Sequence, residues 1–277
     1  MEYIIRAMKP EEMKTAISWA AEEGWNPGLN DGDCFYKTDP GGFFVGELNG
    51  EIIATKSAVR YPNNFGFMGF YIVKKEYRGK GYGLKIWRHG FNNLAGMTSG
   101  MDGVVDQQPN YKKSGYVFAY RQMRFEGKGI SGMYKNLKSL NEISFEDLVK
   151  YDSQMFPSER KVFLDMWVNQ TGISFKASLK NGKLVGYGVI RPCVKGYKIG
   201  PLFADNEEVA ENLFLGLCDF ADGSEVYLDV PEINIPPLNL IKKYKMNYVF
   251  ETARMYHNGF PNMDVNKIFG VTTFELG

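Results

Sequence analysis

The sequence places its clearest chemistry at Arg78-Gly79-Lys80-Gly81-Tyr82-Gly83. Three alternate glycines let backbone N–H groups close around a phosphate, and a helix starting here would leave its first-turn amides free to donate. The amides of Gly79 to Gly83, Tyr82 included, are therefore the expected phosphate ligands, with Arg78 and Lys80 adding charge. Two common nucleotide templates do not fit. A Walker loop closes on Gly-Lys-Ser/Thr, whereas Gly83 is followed by Leu84 and Lys85. A dinucleotide fingerprint wants Gly or Ala three residues after its second glycine, and those positions hold Leu84 or Ile86.

The loop resembles motif A of the GCN5-related N-acetyltransferases (GNAT), Arg/Gln-x-x-Gly-x-Gly/Ala after a strand ending in valine, with Arg78, Gly81 and Gly83 in its positions. Tyr111-Lys112-Lys113-Ser114-Gly115-Tyr116 is similar to the family's Tyr-x-x-x-Gly-Phe segment, Tyr116 replacing Phe. Gly24-Trp25-Asn26-Pro27-Gly28 resembles a bacterial subgroup with an extra C-terminal domain, and that similarity spans nearly the whole chain. The resemblance implies acetyl-CoA as cofactor and direct acetyl transfer to a primary amine, read here as that of a small molecule. It also implies that the strand ending at Ile72 and Val73 splays from its neighbour, so that the pantetheine arm pairs with its backbone and one of its amides meets the charge developing on the thioester oxygen.

Such a transfer moves protons. Tyr111 stands where the resemblance puts a general acid for the departing thiolate, and reference pKa values of ~10 and ~8.5 suggest a transfer without tuning. A tyrosine that only packs against the cofactor is the alternative. An amine of pKa ~10.4 also needs a base. Asp106, after Val104 and Val105 in the run toward Tyr111, is the candidate, against an Asp that merely caps a turn. Trp25, Asn26 and Asp31 follow the first helix, where the fold lines the acceptor side, and are the expected substrate contacts; Trp25 could instead be core. Glu76, His89 and His257 read as surface groups. A rival function is an acyl-CoA-binding regulatory protein without turnover, which would share the glycine loop.

The elements that must hold these residues follow from periodicity. Phe65 to Val73 is rich in aromatic and β-branched residues and reads as a buried strand. Leu84, Trp87, Phe91 and Leu94 recur at helical spacing directly after the glycines. Pro10 to Ala21 reads as a helix stopped near Gly24, Ser158 as the N-cap of a helix through Phe163, Met166 and Trp167, and Val209, Leu213 and Leu217 as a further helix.

The chain also repeats itself at a shift of 132 residues, which lays Asn49-Gly50-Glu51-Ile52-Ile53 over Asn181-Gly182-Lys183-Leu184-Val185 and Tyr116-Val117-Phe118 over Tyr248-Val249-Phe250. The fold class expected is α/β (α+β): two tandem GNAT-like domains, residues 1–130 and 140–277, each a mixed, mostly antiparallel sheet flanked by helices, joined by Gly127 to Ser139. At the same shift the glycine loop falls on Ala210 to Leu215, without a glycine and beside Glu207, Glu208 and Glu211, so the second copy is expected to be degenerate.

Composition sets the outer limits. With 277 residues and 44% hydrophobic content the chain can bury a substantial core. A net charge of +1 gives no electrostatic case for nucleic acid or an acidic membrane as partner. No apolar run reaches the ~18–20 residues of a membrane span, and Met1-Glu2-Tyr3 opens into a strand-like segment, so a cytoplasmic location is expected; the assembly expected is a monomer or homodimer. Cys34, Cys193 and Cys218 are scattered without a C-x-x-C pair, which reads as ordinary thiols, no metal site and no acyl-enzyme nucleophile.

Overall fold

Residues 2–277 are described by a computed structural model. The first half runs β1 (Tyr3–Ala7), α1 (Met13–Glu22), α2 (Asp31–Thr38), β2 (Phe43–Leu48), β3 (Glu51–Tyr61), β4 (Phe65–Val73), α3 (Tyr82–Asn93), β5 (Thr98–Val104), α4 (Gln108–Lys113) and β6 (Val117–Lys128). The second repeats the plan with α5 (Phe145–Asp152), α6 (Lys161–Val168), β7 (Ser174–Lys180), β8 (Lys183–Pro192), β9 (Tyr197–Ala204), α7 (Glu207–Cys218), β10 (Glu225–Pro231), α8 (Ile235–Lys243), β11 (Asn247–His257) and a short β12 (Ile268–Gly270).

The duplicated Asn-Gly pairs make the same hairpin turn twice. Asn49 and Gly50 join β2 to β3 with φ of 51° and 88°, and Asn181 and Gly182 join β7 to β8 with φ of 52° and 76°. Two consecutive left-handed residues match the right-handed twist of paired strands, and Asn and Gly tolerate them best.

The two halves share one sheet, in the order β1-β2-β3-β4-β5-β11-β6-β10-β9-β8-β7 with β12 on β9. Pairing is antiparallel except between β4 and β5 and between β9 and β10. The last long strand of each half is exchanged. β11 lies between β5 and β6, while β6 pairs on its other edge with β10. The stretch from Gly127 to Ser139 therefore links the halves in sequence, but the hydrogen bonding of the sheet does not stop there.

Each half has a parallel pair that opens partway. β4 and β5 pair from Phe65↔Thr98 to Met68↔Met101 and then part, although β4 continues to Val73. At this point Phe70 takes a left-handed φ of 45°, and the β3–β4 register slips between Thr55 and Ser57. Such a bulge bends a strand away from its neighbour. In the second half β9 and β10 pair over Tyr197–Ile199 and Val226–Leu228. There β12 fills the opening, pairing with Leu202 and Phe203 of β9 while the Val271 amide donates to the Asp229 carbonyl of β10.

Two sequence expectations need correcting. Ser158 does not cap α6: its hydroxyl donates to the Pro62 carbonyl, and α6 begins after Arg160. The counterpart of the glycine loop is not Ala210 to Leu215, which lie inside α7. Residues 74–81 separate β4 from α3, whereas only Asp205 and Asn206 separate β9 from α7. The second connection is six residues shorter than the first, so the constant shift of 132 residues fails there.

Candidate functional site

The opening between β4 and β5 holds two adjoining cavities. One, of about 550 Å³, is lined by Ile72, Val73, Arg78, Gly79, Gly81, Gly83 and Gln107 among others. The second, of about 380 Å³, lies deeper and is walled by both halves, with Lys56, Gly69, Phe70 and Trp87 from the first and Phe250, Thr252, Phe274 and Glu275 from the second. Glu23, Trp25, Tyr71, Val104, Asp106 and Tyr111 line both, so the two spaces meet at these residues.

The outer cavity ends on the start of α3. Gly81, at φ 86°, is the N-cap, and the first helical bond runs from the Lys85 amide to the Gly81 carbonyl. The amides of the preceding turn thus have no helical acceptor and carry the partial positive charge of the helix end. Gly83 is held against β4: a Cβ there would lie 2.8 Å from the Tyr71 hydroxyl and 3.2 Å from Val73 Cγ2. These features fit a diphosphate. Its second-half counterpart does not, because the Asn206 side chain accepts from the Val209 amide at 3.0 Å and Glu207 and Glu208 occupy the first turn of α7.

The charged side chains of the loop serve differently from expectation. Arg78 lines the cavity, but its Nε donates to the Val73 carbonyl at 2.7 Å and its Nη2 to Glu23 Oε1 at 2.5 Å, so it braces the loop against β4 and α1. Lys80 lies over the Tyr77 ring, and Tyr82 packs on Tyr3 and Tyr77; neither side chain lines a cavity. Their contribution is the backbone.

Tyr111 sits at the junction, 4% exposed and stacked on Trp87 at 5.2 Å. Burial pushes its phenol well above the usual range, and the nearby Tyr71 adds to this, against a smaller opposing effect of the Val104 amide. The expectation of a transfer without tuning had the wrong sign. A phenol at ~10 gives its proton to a thiolate at ~8.5 uphill by ~2 kcal/mol, and burial steepens the slope. Tyr111 is therefore suited to donate a hydrogen bond to a sulfur that is gaining charge, keeping its proton until the amine nitrogen releases one.

The expected substrate contacts divide. Trp25 lines both cavities. Asn26 and Asp31 line neither, which corrects the sequence reading. Asn26 exchanges two hydrogen bonds with the Lys195 backbone, at 2.8 and 3.0 Å. Asp31 is buried in a two-point ion pair with Arg191 at 2.8 and 3.1 Å and accepts from the Gly28 amide. Both hold the Trp25 loop to the second half, as does Lys198 Nζ, which donates to the Asn26 carbonyl at 2.8 Å, while Arg124 Nη1 of β6 donates to the Trp25 carbonyl at 2.6 Å.

Asp106 does reach the junction, in a turn after β5, but it is exposed at the rim. Asp102 lies deeper and is held by Arg254 at 2.6 and 2.7 Å. His89, His257 and the three cysteines line neither cavity, and burial pushes the Cys34 and Cys218 thiols up to about 12. Among the described residues no cluster of His, Cys, Asp and Glu could hold a metal, and no helix is long and apolar enough to cross a membrane.

Two residues escaped the sequence reading. Lys56 is 1% exposed in β3, its Nζ donating to the Ser57 and Gly69 carbonyls at 2.6 and 2.8 Å, and burial draws its pKa well down. A lone cation between Thr55 and Ser57 in the strand-like stretch Ile52 to Val59 was a visible signal, since an unpaired buried Lys is rare. Glu275 gave no such signal, because its place depends on strands far away in sequence.

Residues 7–100 match the Acetyltransferase (GNAT) family and residues 148–270 match a further Acetyltransferase (GNAT) domain. The holothin acyltransferase of Pseudoalteromonas sp. (strain SANK 73390) is 30% identical over 270 residues, spanning 96% of this chain and 92% of that protein. The chain is a tandem GNAT protein. Its other relatives include the uncharacterized N-acetyltransferase YitH of Bacillus subtilis (strain 168), 23% identical across 80% of this chain and 79% of YitH. A candidate acetyltransferase from Pyrococcus horikoshii shares the GNAT fold over 99% of this chain and 96% of its own, with a TM-score of 0.84 at 24% identity. Membership makes the tandem GNAT protein an acyltransferase by family, and GNAT enzymes take their acyl group from a coenzyme A thioester.

Proposed function

We propose that this protein is an N-acetyltransferase that moves the acetyl group of acetyl-CoA to a primary amine of a small molecule by direct transfer. Residues 1–130 hold the cofactor, and residues 140–277 are a degenerate copy that walls the acceptor side. The observation that carries this reading is the meeting of an outer cavity that ends on the glycine loop with an inner, aromatic-walled one at Tyr111.

Acetyl-CoA supplies an activated acyl carbon and a thiolate leaving group. The amides of Gly79 to Gly83 bind its diphosphate, and the edge of β4 past Met68, through Ile72 and Val73, has no strand partner on the β5 side; the Val73 carbonyl is taken by Arg78, so the arm pairs with the remaining backbone groups. A backbone amide of the same strand donates to the carbonyl oxygen as charge develops there, a contact worth ~3 kcal/mol in comparable sites. Tyr111 donates to the sulfur. Holding both reactants in a partly enclosed space removes most of the entropic cost of their encounter.

The acceptor enters between Trp25, Phe250 and Phe274, which suits a flat apolar body carrying an amine. Asp106, on the rim, attracts the cation without being enclosed by the site. The test is calorimetry with acetyl-CoA followed by mass spectrometry of amine mixtures. Binding with acetylated amine supports the transferase; binding without free CoA from any amine favours an acyl-CoA-binding regulatory protein.

A further inference from the structure

Five carboxylates line the inner cavity: Glu23, Asp102, Asp106, Glu251 and Glu275. Three have cationic partners, Glu23 with Arg78 at 2.5 Å, Asp102 with Arg254 at 2.6 Å and Glu251 with Arg121 at 3.3 Å. Asp106 is exposed. Glu275 is 4% exposed; among the described residues no side chain or amide is hydrogen-bonded to its carboxylate, and its oxygens are not among the fully sealed, partnerless atoms, so they stay open to water in the cavity. A buried carboxylate without a donor is costly and is kept where something else supplies the proton or the charge.

Its neighbours are occupied elsewhere. Arg124 of β6 forks onto Asp229 at 2.7 Å, Arg191 of β8 onto Asp31, and Lys198 of β9 donates to the Trp25 and Asn26 carbonyls. With Asp31 of α2, these are the charges that face Glu275 from the packed elements; Lys56 of β3 and Tyr111 of α4 share its cavity. Burial outweighs the three cations and raises the Glu275 carboxyl above the usual range, which makes it a better proton acceptor at neutral pH.

The segment that carries Glu275 is fixed on both sides. The Val271 amide binds the Asp229 carbonyl, the Thr272 hydroxyl accepts from Arg160 at 2.7 Å, and the Leu276 carbonyl accepts from the Tyr61 hydroxyl at 3.1 Å. It passes over Gly69, the residue at which β4 leaves β5. A base on such a tether needs little reorganisation when substrate arrives.

We infer that Glu275, contributed by the degenerate half to the active half's cavity, receives the proton of the incoming alkylammonium and is thus a catalytic residue for a primary amine. This rests on the transferase reading above. The ammonium gives one proton to the Glu275 carboxylate; the freed lone pair forms the C–N bond as the C–S bond breaks; the nitrogen's second proton reaches the departing thiolate on the Tyr111 side. Glu275 then returns its proton to solvent, so the products are amide, CoA thiol and one proton.

The test is steady-state turnover of acetyl-CoA at neutral pH with phenethylamine, an ammonium in water, and with aniline, which is already neutral. Glu275→Gln should cut kcat with phenethylamine by about 100-fold, the lower end of what a general base contributes, and leave aniline close to wild type. Glu275→Asp, which retracts the carboxylate by one methylene, should fall between and covers the case that the amide variant does not fold. Equal losses on both amines would mark a structural role and overturn the inference, as would the selective pattern appearing in Asp106→Asn instead. Wild-type protein that binds acetyl-CoA but acetylates neither probe nor any other amine would overturn the transferase reading itself.

Discussion

The Glu275 carbonyl lies against Gly69, so that a Cβ on Gly69 would sit 2.1 Å from its oxygen. The tail of the second half and the bulged strand of the first are thus in backbone contact at the point where the cleft opens. On the far side, Lys56 binds the Gly69 carbonyl. Replacing Gly69 by Ala must push the tail away, at a cost of about 1–3 kcal/mol by analogy with overpacked cores. Thermal melting should show that loss. Amine turnover should fall while calorimetric acetyl-CoA affinity, set at the other end of the cleft, stays near wild type.

Gly81→Glu puts a carboxylate at the N-cap of α3, where φ is 86°, facing the space assigned to the diphosphate. Calorimetry should find acetyl-CoA binding abolished. An affinity equal to wild type would remove the phosphate assignment.

Tyr111→Phe keeps the ring stacked on Trp87 and removes only the hydroxyl. Affinity for acetyl-CoA should be unchanged and kcat should drop by about 100-fold, a typical lower bound for losing a proton donor. Unaltered turnover would return Tyr111 to a packing role.

Asp31→Ala leaves Arg191 buried without its partner, and breaking such a pair typically costs about 3–5 kcal/mol. Because Asp31 and Arg191 join the halves, the melting temperature should fall by many degrees. Arg191→Met with Asp31→Asn should recover part of it, since the lone charge is gone.

The pH dependence of stability tests Glu275 separately from catalysis. Its carboxyl is raised in the folded protein relative to 4.5, so the folded state binds the extra proton. The stability it contributes is complete below the unfolded value and is lost as pH rises through the folded value. Chemical denaturation of wild type should therefore show a decline over that window that Glu275→Gln lacks. A Gln variant with the same slope as wild type would mean that the carboxylate is not desolvated.

Local features of this site were legible in the sequence, and long-range ones were not. The glycine loop, α3 and Tyr111 depend on neighbours within a few dozen residues, and the spacing of Leu84, Trp87 and Phe91 fixes the helix face. Asn26 and Asp31 were misread because their partners lie 169 and 160 residues away. Polar residues beside a tryptophan look like pocket lining until an opposing surface is known. The expectation that the second copy is degenerate rested on missing glycines at a fixed offset; at the matching place the structure has a two-residue connection and β12 in the opening, and a fixed offset cannot reveal two connections of different length.

The crossing of β6 and β11 has a mechanical consequence. Each closes the sheet made by the opposite end of the polypeptide, so a protease that nicked the chain between residues 129 and 139 would free neither piece. The severed fragments would stay clasped, and a catalyst supplied as two separate polypeptides could assemble around the same cleft.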